Sequence, residues 1–135
     1  MKWTRSGSVP TAALGGKVDN AMLTAEISVE AQTADPASLL NVYKDFAQAR
    51  NAYKALAQGE IQEVSSSNAA VALWTMSYDG QTVLVAHNFS DKVATVSPSG
   101  ASELSTDAIL VSNGAVTANG SFLTLAPYAS AVFAQ

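Results

Sequence analysis

Cysteine is absent from the 135-residue sequence, and histidine occurs once. The lack of cysteine excludes disulfides, thiolate zinc sites and a cysteine nucleophile, and a single histidine excludes chemistry that needs a histidine cluster. Charged residues make up 13% of the chain and hydrophobic residues 48%, whereas about 25% of a typical domain is charged. The composition therefore favours a folded domain with an apolar core over a disordered chain.

Positive charge is also scarce. The net charge is −4 and no basic cluster occurs, which disfavours binding to a nucleic-acid backbone. No apolar run approaches the roughly 18 residues of a membrane span, and we expect neither a signal peptide at the start of the chain nor a membrane partner. We expect no metal or other cofactor. The cellular compartment is left open.

The charges divide the chain into two unequal parts. Residues 1–58 hold six basic and five acidic side chains, whereas residues 59–135 hold one basic and six acidic ones. Hydrophobic spacing is helical in the first part and alternating in the second. We therefore predict a boundary near Gln58–Gly59.

The first part is predicted to contain one long helix after an irregular N-terminal arm. Residues 36–57 place apolar side chains on one broad helical face. Asp35 is the expected N-cap and Pro36 the expected first helical residue, while Gly59 is expected to end the helix in a left-handed conformation.

The second part is predicted to be an antiparallel, Greek-key-type β-sandwich of about seven to eight strands. Asp79-Gly80 between two alternating segments is a strong hairpin signal. The predicted strands are Ile61–Val64, Ala70–Tyr78, Thr82–Phe89, Lys92–Ser97, Ala108–Ser112, Val116–Thr117, Phe122–Leu125 and Ala129–Phe133.

No catalytic constellation emerges from the residue types and their spacing. Hydrolysis of a glycosidic bond needs two carboxylates across a cleft, but the acidic residues of the second part read as turn residues or exposed strand positions. His87 is expected to be structural, because a strand neighbour such as Asn88 points to the other face and no Gly-x-Ser-x-Gly motif is present. A small enzyme using His87, Ser90 and Asp91 is kept as an alternative.

Aromatic side chains offer a second alternative, because they stack on sugar rings when they are exposed together. Trp74, Tyr78 and Tyr128 are the candidates for such carbohydrate binding. Burial in a core is the competing role for Trp74, which lies in an apolar segment. A coplanar, exposed pair would favour sugar binding, and joint burial would favour a structural role.

The order of these features resembles the C-terminal end of the alpha-amylase family of glycoside hydrolases. In that family the last helix of the (β/α)8 barrel precedes a β domain with an Asn-Phe-Ser strand end and a terminal Leu-x-Pro-Tyr-x-x-x-Val. The matching residues are Asp35-Pro36, Ser38-Leu39-Leu40, Tyr43-Lys44, Arg50-Asn51, Asn88-Phe89-Ser90, Leu125, Pro127, Tyr128 and Val132.

The resemblance implies that residues 1–58 are the end of a catalytic barrel and that residues 59–135 are the accessory domain that follows it. The family's catalytic carboxylates lie on earlier barrel strands, and their motifs do not occur here. The chain is then a non-catalytic domain that stabilises its own barrel, in an enzyme acting on starch-like α-glucans. A helix cut from its barrel would leave apolar side chains such as Leu39 and Tyr43 uncovered, so we also expect self-association.

Overall fold

The computed structural model describes residues 2–6, 24–100 and 103–135 of the chain. It divides into two compact units, one ending at Asp45 and the other comprising Phe46–Gln135. Most of the predicted N-terminal arm, residues 7–23, lies outside the described residues. No helix within the described part is long and apolar enough to cross a membrane.

The first unit contains a short helix, α1, at Val29–Ala34. Ser28 is buried and caps it, since the Ser28 hydroxyl accepts a hydrogen bond from the backbone N–H of Ala31 at 3.1 Å. The N–H groups of the first two residues of α1 donate to the carbonyl groups of Lys2 and Trp3, at 3.0 and 2.9 Å. These bonds satisfy donors that a helix N-terminus leaves free.

The second helix, α2, covers Leu39–Ala52, so the predicted start at residue 36 is wrong. Asp35 has extended backbone angles, as expected for a residue before proline. Its carboxylate instead accepts from the N–H two residues further on, at 2.9 Å. Ser38 takes the capping position, because its hydroxyl accepts from the N–H three residues further on, at 3.3 Å.

The predicted single helix is also interrupted. Tyr53 is extended, and a separate helix, α3, covers Lys54–Gln58. The side-chain oxygen of Gln81 accepts a hydrogen bond from the N–H of Ala55 at 2.9 Å. This long-range cap supports a new helix start, which helical spacing along the chain could not reveal.

Gly59 ends α3, but not in the predicted left-handed conformation, because its φ is −70°. A Cβ at this position would lie 2.3 Å from the carbonyl oxygen of Ala55. Glycine is therefore required by close packing of backbone against backbone.

Nine strands occur in the described residues and form two antiparallel sheets, which confirms the predicted sandwich class. The five-stranded sheet has the order β1-β2-β3-β9-β6 and the four-stranded sheet the order β4-β8-β7-β5. The strands are β1 Glu60–Glu63, β2 Val71–Tyr78, β3 Gln81–Asn88, β4 Ala94–Val96, β5 Leu104–Ser105, β6 Ile109–Asn113, β7 Val116–Gly120, β8 Phe122–Leu125 and β9 Ser130–Ala134.

The predicted hairpin at Asp79-Gly80 is confirmed. Both residues have positive φ, 49° and 78°, as a two-residue type I′ turn requires. Strand β5 was not predicted, because it has only two residues and follows a polar segment. Leu104 in β5 is nevertheless buried and pairs with Gly120.

The main core lies between the two sheets, where Leu84, Leu123, Leu125 and Phe133 are fully buried. A second apolar cluster lies on the other face of the five-stranded sheet, which we call the outer face. There α2 contributes Ala49 and α3 contributes Ala55, both packed with side chains of β2, β3, β6 and β9. The second unit therefore has three layers: the two sheets and a helical segment, residues 46–58, made of the end of α2 and α3.

We predict that Gly59→Ala lowers the free energy of unfolding by about 1–3 kcal/mol, because the added methyl group must displace the end of α3. Urea denaturation measures the change. Gln58→Ala, next to it and exposed, is the control and should stay within about 0.5 kcal/mol of the parent chain. Equal stability of the Gly59→Ala variant and the parent would contradict the packing role of this glycine.

Candidate functional site

Trp74 lies at the centre of strand β2, with its side chain on the outer face of the five-stranded sheet. It is partly buried and packs against the cluster that includes Val83 and Val85. Its register partner on the edge strand β1 is Glu63. Directly opposed side chains of an antiparallel pair have Cβ atoms about 4.5–5.5 Å apart, so Glu63 and Trp74 leave the sheet next to each other on its outer face.

A groove of about 510 Å³ opens next to this pair, at the edge formed by β1 and the loop that leads to β2. Ile61 and Trp74 are apolar residues lining it, whereas Glu63, Ser66 and Asn68 are polar ones. Asn68 is held in place because its Oδ1 atom accepts from the N–H of Ala70 at 2.9 Å. No basic side chain is among the described residues that line the groove.

An aromatic row continues from Trp74 across β3. The ring centroids of Trp74 and His87 are 5.2 Å apart with planes inclined by 34°, and those of His87 and Phe89 are 6.0 Å apart with planes inclined by 38°. The side chain of Phe89 is 69% exposed. Trp74 and His87 are therefore partly buried, whereas Phe89 at the end of the row is exposed. The rings are tilted relative to one another rather than coplanar.

The other two predicted carbohydrate residues lie elsewhere. Tyr78, at the end of β2, is partly buried against the outer-face cluster. Tyr128 is 63% exposed on the β8–β9 loop and has a φ of 55°. Neither lines the groove beside Trp74, so the three residues do not form one shared binding surface there.

His87 is partly buried and bonded to a partner far away in sequence. Its Nδ1 atom shares a hydrogen bond with the Ser130 hydroxyl on β9 at 2.6 Å. Burial lowers the pKa of His87 below its ordinary value, so the neutral ring is favoured. Ser90, the nucleophile of the small-enzyme alternative, bonds instead to Asn88 and to the carbonyl group of Lys92.

Asn88 joins two loops at one end of the sandwich. Its side-chain NH2 group donates to the carbonyl groups of Lys92 at 2.7 Å and Ala126 at 2.9 Å, while its oxygen accepts from the N–H and hydroxyl of Ser90 at 3.0 and 2.8 Å. Asn88 is buried. Because the polar atoms of a buried amide need hydrogen-bond partners, Asn88 bonds to both loops and holds them together. This structural function explains the asparagine and the serine of the Asn-Phe-Ser motif.

Residues 59–135 contain six acidic side chains. All six are exposed: Glu60, Glu63, Asp79, Asp91, Glu103 and Asp107. In the part of the chain that the structure describes, no three histidine or acidic side chains are placed to hold a metal ion.

Three comparisons with known proteins bear on this architecture. Residues 71–132, which run from the start of β2 into β9, match the family described as the alpha-amylase SusG C-terminal domain. Residues 71–132 are thus similar to the C-terminal domain of an alpha-amylase, and the resemblance predicted from the sequence is confirmed.

Among individual proteins, the chain is similar to alpha-amylase SusG of Bacteroides thetaiotaomicron. The two are 39% identical over 69 residues, which cover 46% of this chain and 10% of SusG. Crystal structures of the trehalulose synthase MutB from Pseudomonas mesoacidophila MX-45 are also similar, including one of a variant in complex with its substrate sucrose. Their identity to this chain is 28% and the TM-score is 0.70, over 82% of this chain and 20% of MutB. The chain therefore spans a tenth to a fifth of these relatives.

We predict that Asn88→Ala lowers the free energy of unfolding by about 2–4 kcal/mol, because it removes the buried side chain whose hydrogen bonds join the two loops. Chemical denaturation followed by circular dichroism measures the loss. Asn51→Ala, at an exposed position of α2, is the matched control and should change stability by less than about 0.5 kcal/mol. If Asn88→Ala lowers the free energy of unfolding no more than the control does, Asn88 does not hold the two loops together.

We predict that the protein loses stability as the pH falls below about 6.5, the ordinary pKa of histidine. Below this pH the unfolded chain binds a proton at His87, whereas the folded chain resists protonation because its pKa is lowered. His87→Gln should flatten the dependence of the unfolding free energy on pH between 7.5 and 5.5. Identical slopes for the variant and the parent chain would show that His87 is not its source.

Proposed function

We propose that this chain is a non-catalytic accessory domain that stabilises the catalytic barrel of an alpha-amylase-like glycoside hydrolase acting on starch-like α-glucans. In this proposal residues 1–58 are the end of the barrel and residues 59–135 are the accessory sandwich. The similarity to the C-terminal domain of SusG, whose name describes an alpha-amylase, supports it.

The observation that carries the proposal is the attachment of the helical segment to the sheet. Ala55 of α3 has no exposed surface, and it packs with Val83 and Val85 on the outer face. The N–H of Ala55 is also bonded to Gln81 of β3. If α2 and α3 end the barrel, the sandwich clamps its last helical segment and covers an apolar surface that water would otherwise contact.

Exchange of domains in SusG tests the stabilising function. We expect SusG without its C-terminal domain to melt about 10 °C lower, because losing the interface between this domain and the barrel lowers the free energy of unfolding by several kcal/mol. Residues 59–135 of this chain, placed at that position, should restore at least half of the difference. An unrelated β-sandwich of equal length is the control and should restore none. An unchanged melting temperature after deletion would refute the stabilising function.

A separate assay tests the proposal that the chain is not catalytic. The chain alone should release no reducing sugar from starch at concentrations where SusG does. Turnover that disappears in a His87→Gln variant would contradict the proposal and would favour the small-enzyme alternative.

A further inference from the structure

We propose that the groove beside Trp74 is a binding site for a neutral α-linked glucose oligosaccharide. The α-linkage rests on the proposed function, whereas the neutral sugar chemistry rests on the groove itself. The site residues are Trp74, Glu63, Ile61, Ser66 and Asn68.

The size and lining of the groove fit a small ligand. Its volume of about 510 Å³ lies within the roughly 300–1,000 Å³ of ordinary ligand pockets. Ile61 is largely exposed although it is apolar, and it stands two residues from Glu63 on the same face of β1. An exposed apolar side chain next to an indole gives a surface that the C–H face of a sugar ring can cover.

The polar residues specify what kind of ligand binds. Glu63 is acidic and none of the described residues that line the groove is basic, so a phosphate, a carboxylate or a nucleic acid would be repelled. A ligand that donates hydrogen bonds is favoured, because bonds to an ionised acceptor are about twice as strong as neutral ones. Sugar hydroxyls are neutral donors of this kind, and the Asn68 amide supplies a further polar contact.

Trp74 is rigid as well as accessible. Its side chain packs against the outer-face cluster, and the ring centres of Trp74 and His87 lie 5.2 Å apart. A ring held in this way loses little conformational freedom on binding. The same features explain why Tyr78 and Tyr128 are not part of this site: neither borders the groove.

Titration of the full chain with maltoheptaose tests the site. Trp3→Phe leaves Trp74 as the only tryptophan, so the change in fluorescence reports on the groove. We expect saturable binding with a Kd on the order of 1 mM. Glu63→Ala, at an exposed position that should leave folding intact, is expected to raise that Kd about tenfold. Circular dichroism verifies the fold of each variant.

Two matched variants and a second sugar sharpen the test. Phe122→Ala removes an exposed aromatic ring from the other sheet and should leave the Kd unchanged, as should Tyr128→Ala. Cellohexaose, which has β-linkages, should bind at least tenfold more weakly. Absence of saturation up to about 20 mM, an effect of Glu63→Ala below twofold, a loss caused by Tyr128→Ala, or equal binding of cellohexaose would each overturn the proposal.

Failure of this site is distinguishable from failure of the stabilising function. Glu63 is exposed and lies outside the outer-face cluster. The SusG chimera should therefore melt at the same temperature with or without Glu63→Ala. Restored melting without maltoheptaose binding would overturn the site alone, and binding without restored melting would overturn the stabilising function alone.

Discussion

The five-stranded sheet needs cover on both of its faces, because its central strands are apolar on both. Four consecutive residues of β3, Val83 to Ala86, are buried, and so are three of β9, Ala131 to Phe133. Antiparallel sheets commonly leave one face to water, but this sheet cannot do so without exposing a valine cluster. The four-stranded sheet covers one face and the helical segment covers much of the other. The helical segment is thus a structural layer of the second unit.

The need to cover the outer face of the sheet accounts for features of the helical segment that helix formation alone does not require. The break at Tyr53 lets α3 start again under the Gln81 cap, with Ala55 placed directly against the sheet. The close approach at Gly59 lets the chain turn from that helix into β1 without a gap. Small residues at 49 and 55 also allow the helices to lie near the strands. In the proposed parent enzyme, such tight packing would transmit the stability of the sandwich to the barrel.

The fold was largely predictable, because its signals are local. The alternation of apolar and polar residues predicted the ends of most strands to within a few residues, and Asp79-Gly80 predicted the hairpin between β2 and β3. The errors arose where distant partners contribute to the structure: Gln81 caps the start of α3, and pairing with β7 makes a strand of Leu104-Ser105. The candidate site was less predictable. Trp74 stood out by residue type, but Glu63 becomes its neighbour only through a register set across an irregular loop. The His87–Ser130 bond likewise depends on pairing between β3 and β9.

Trp74 shows how structural and binding functions can share one side chain. An aromatic ring that is wholly buried cannot meet a ligand, and one that is wholly exposed is loosely held. Trp74 avoids both limits, since it is partly buried against the cluster shared with α3 and also lines the groove. A side chain that is partly covered in this way is compatible with both proposals, because it can pack under the helical segment and still border a ligand groove.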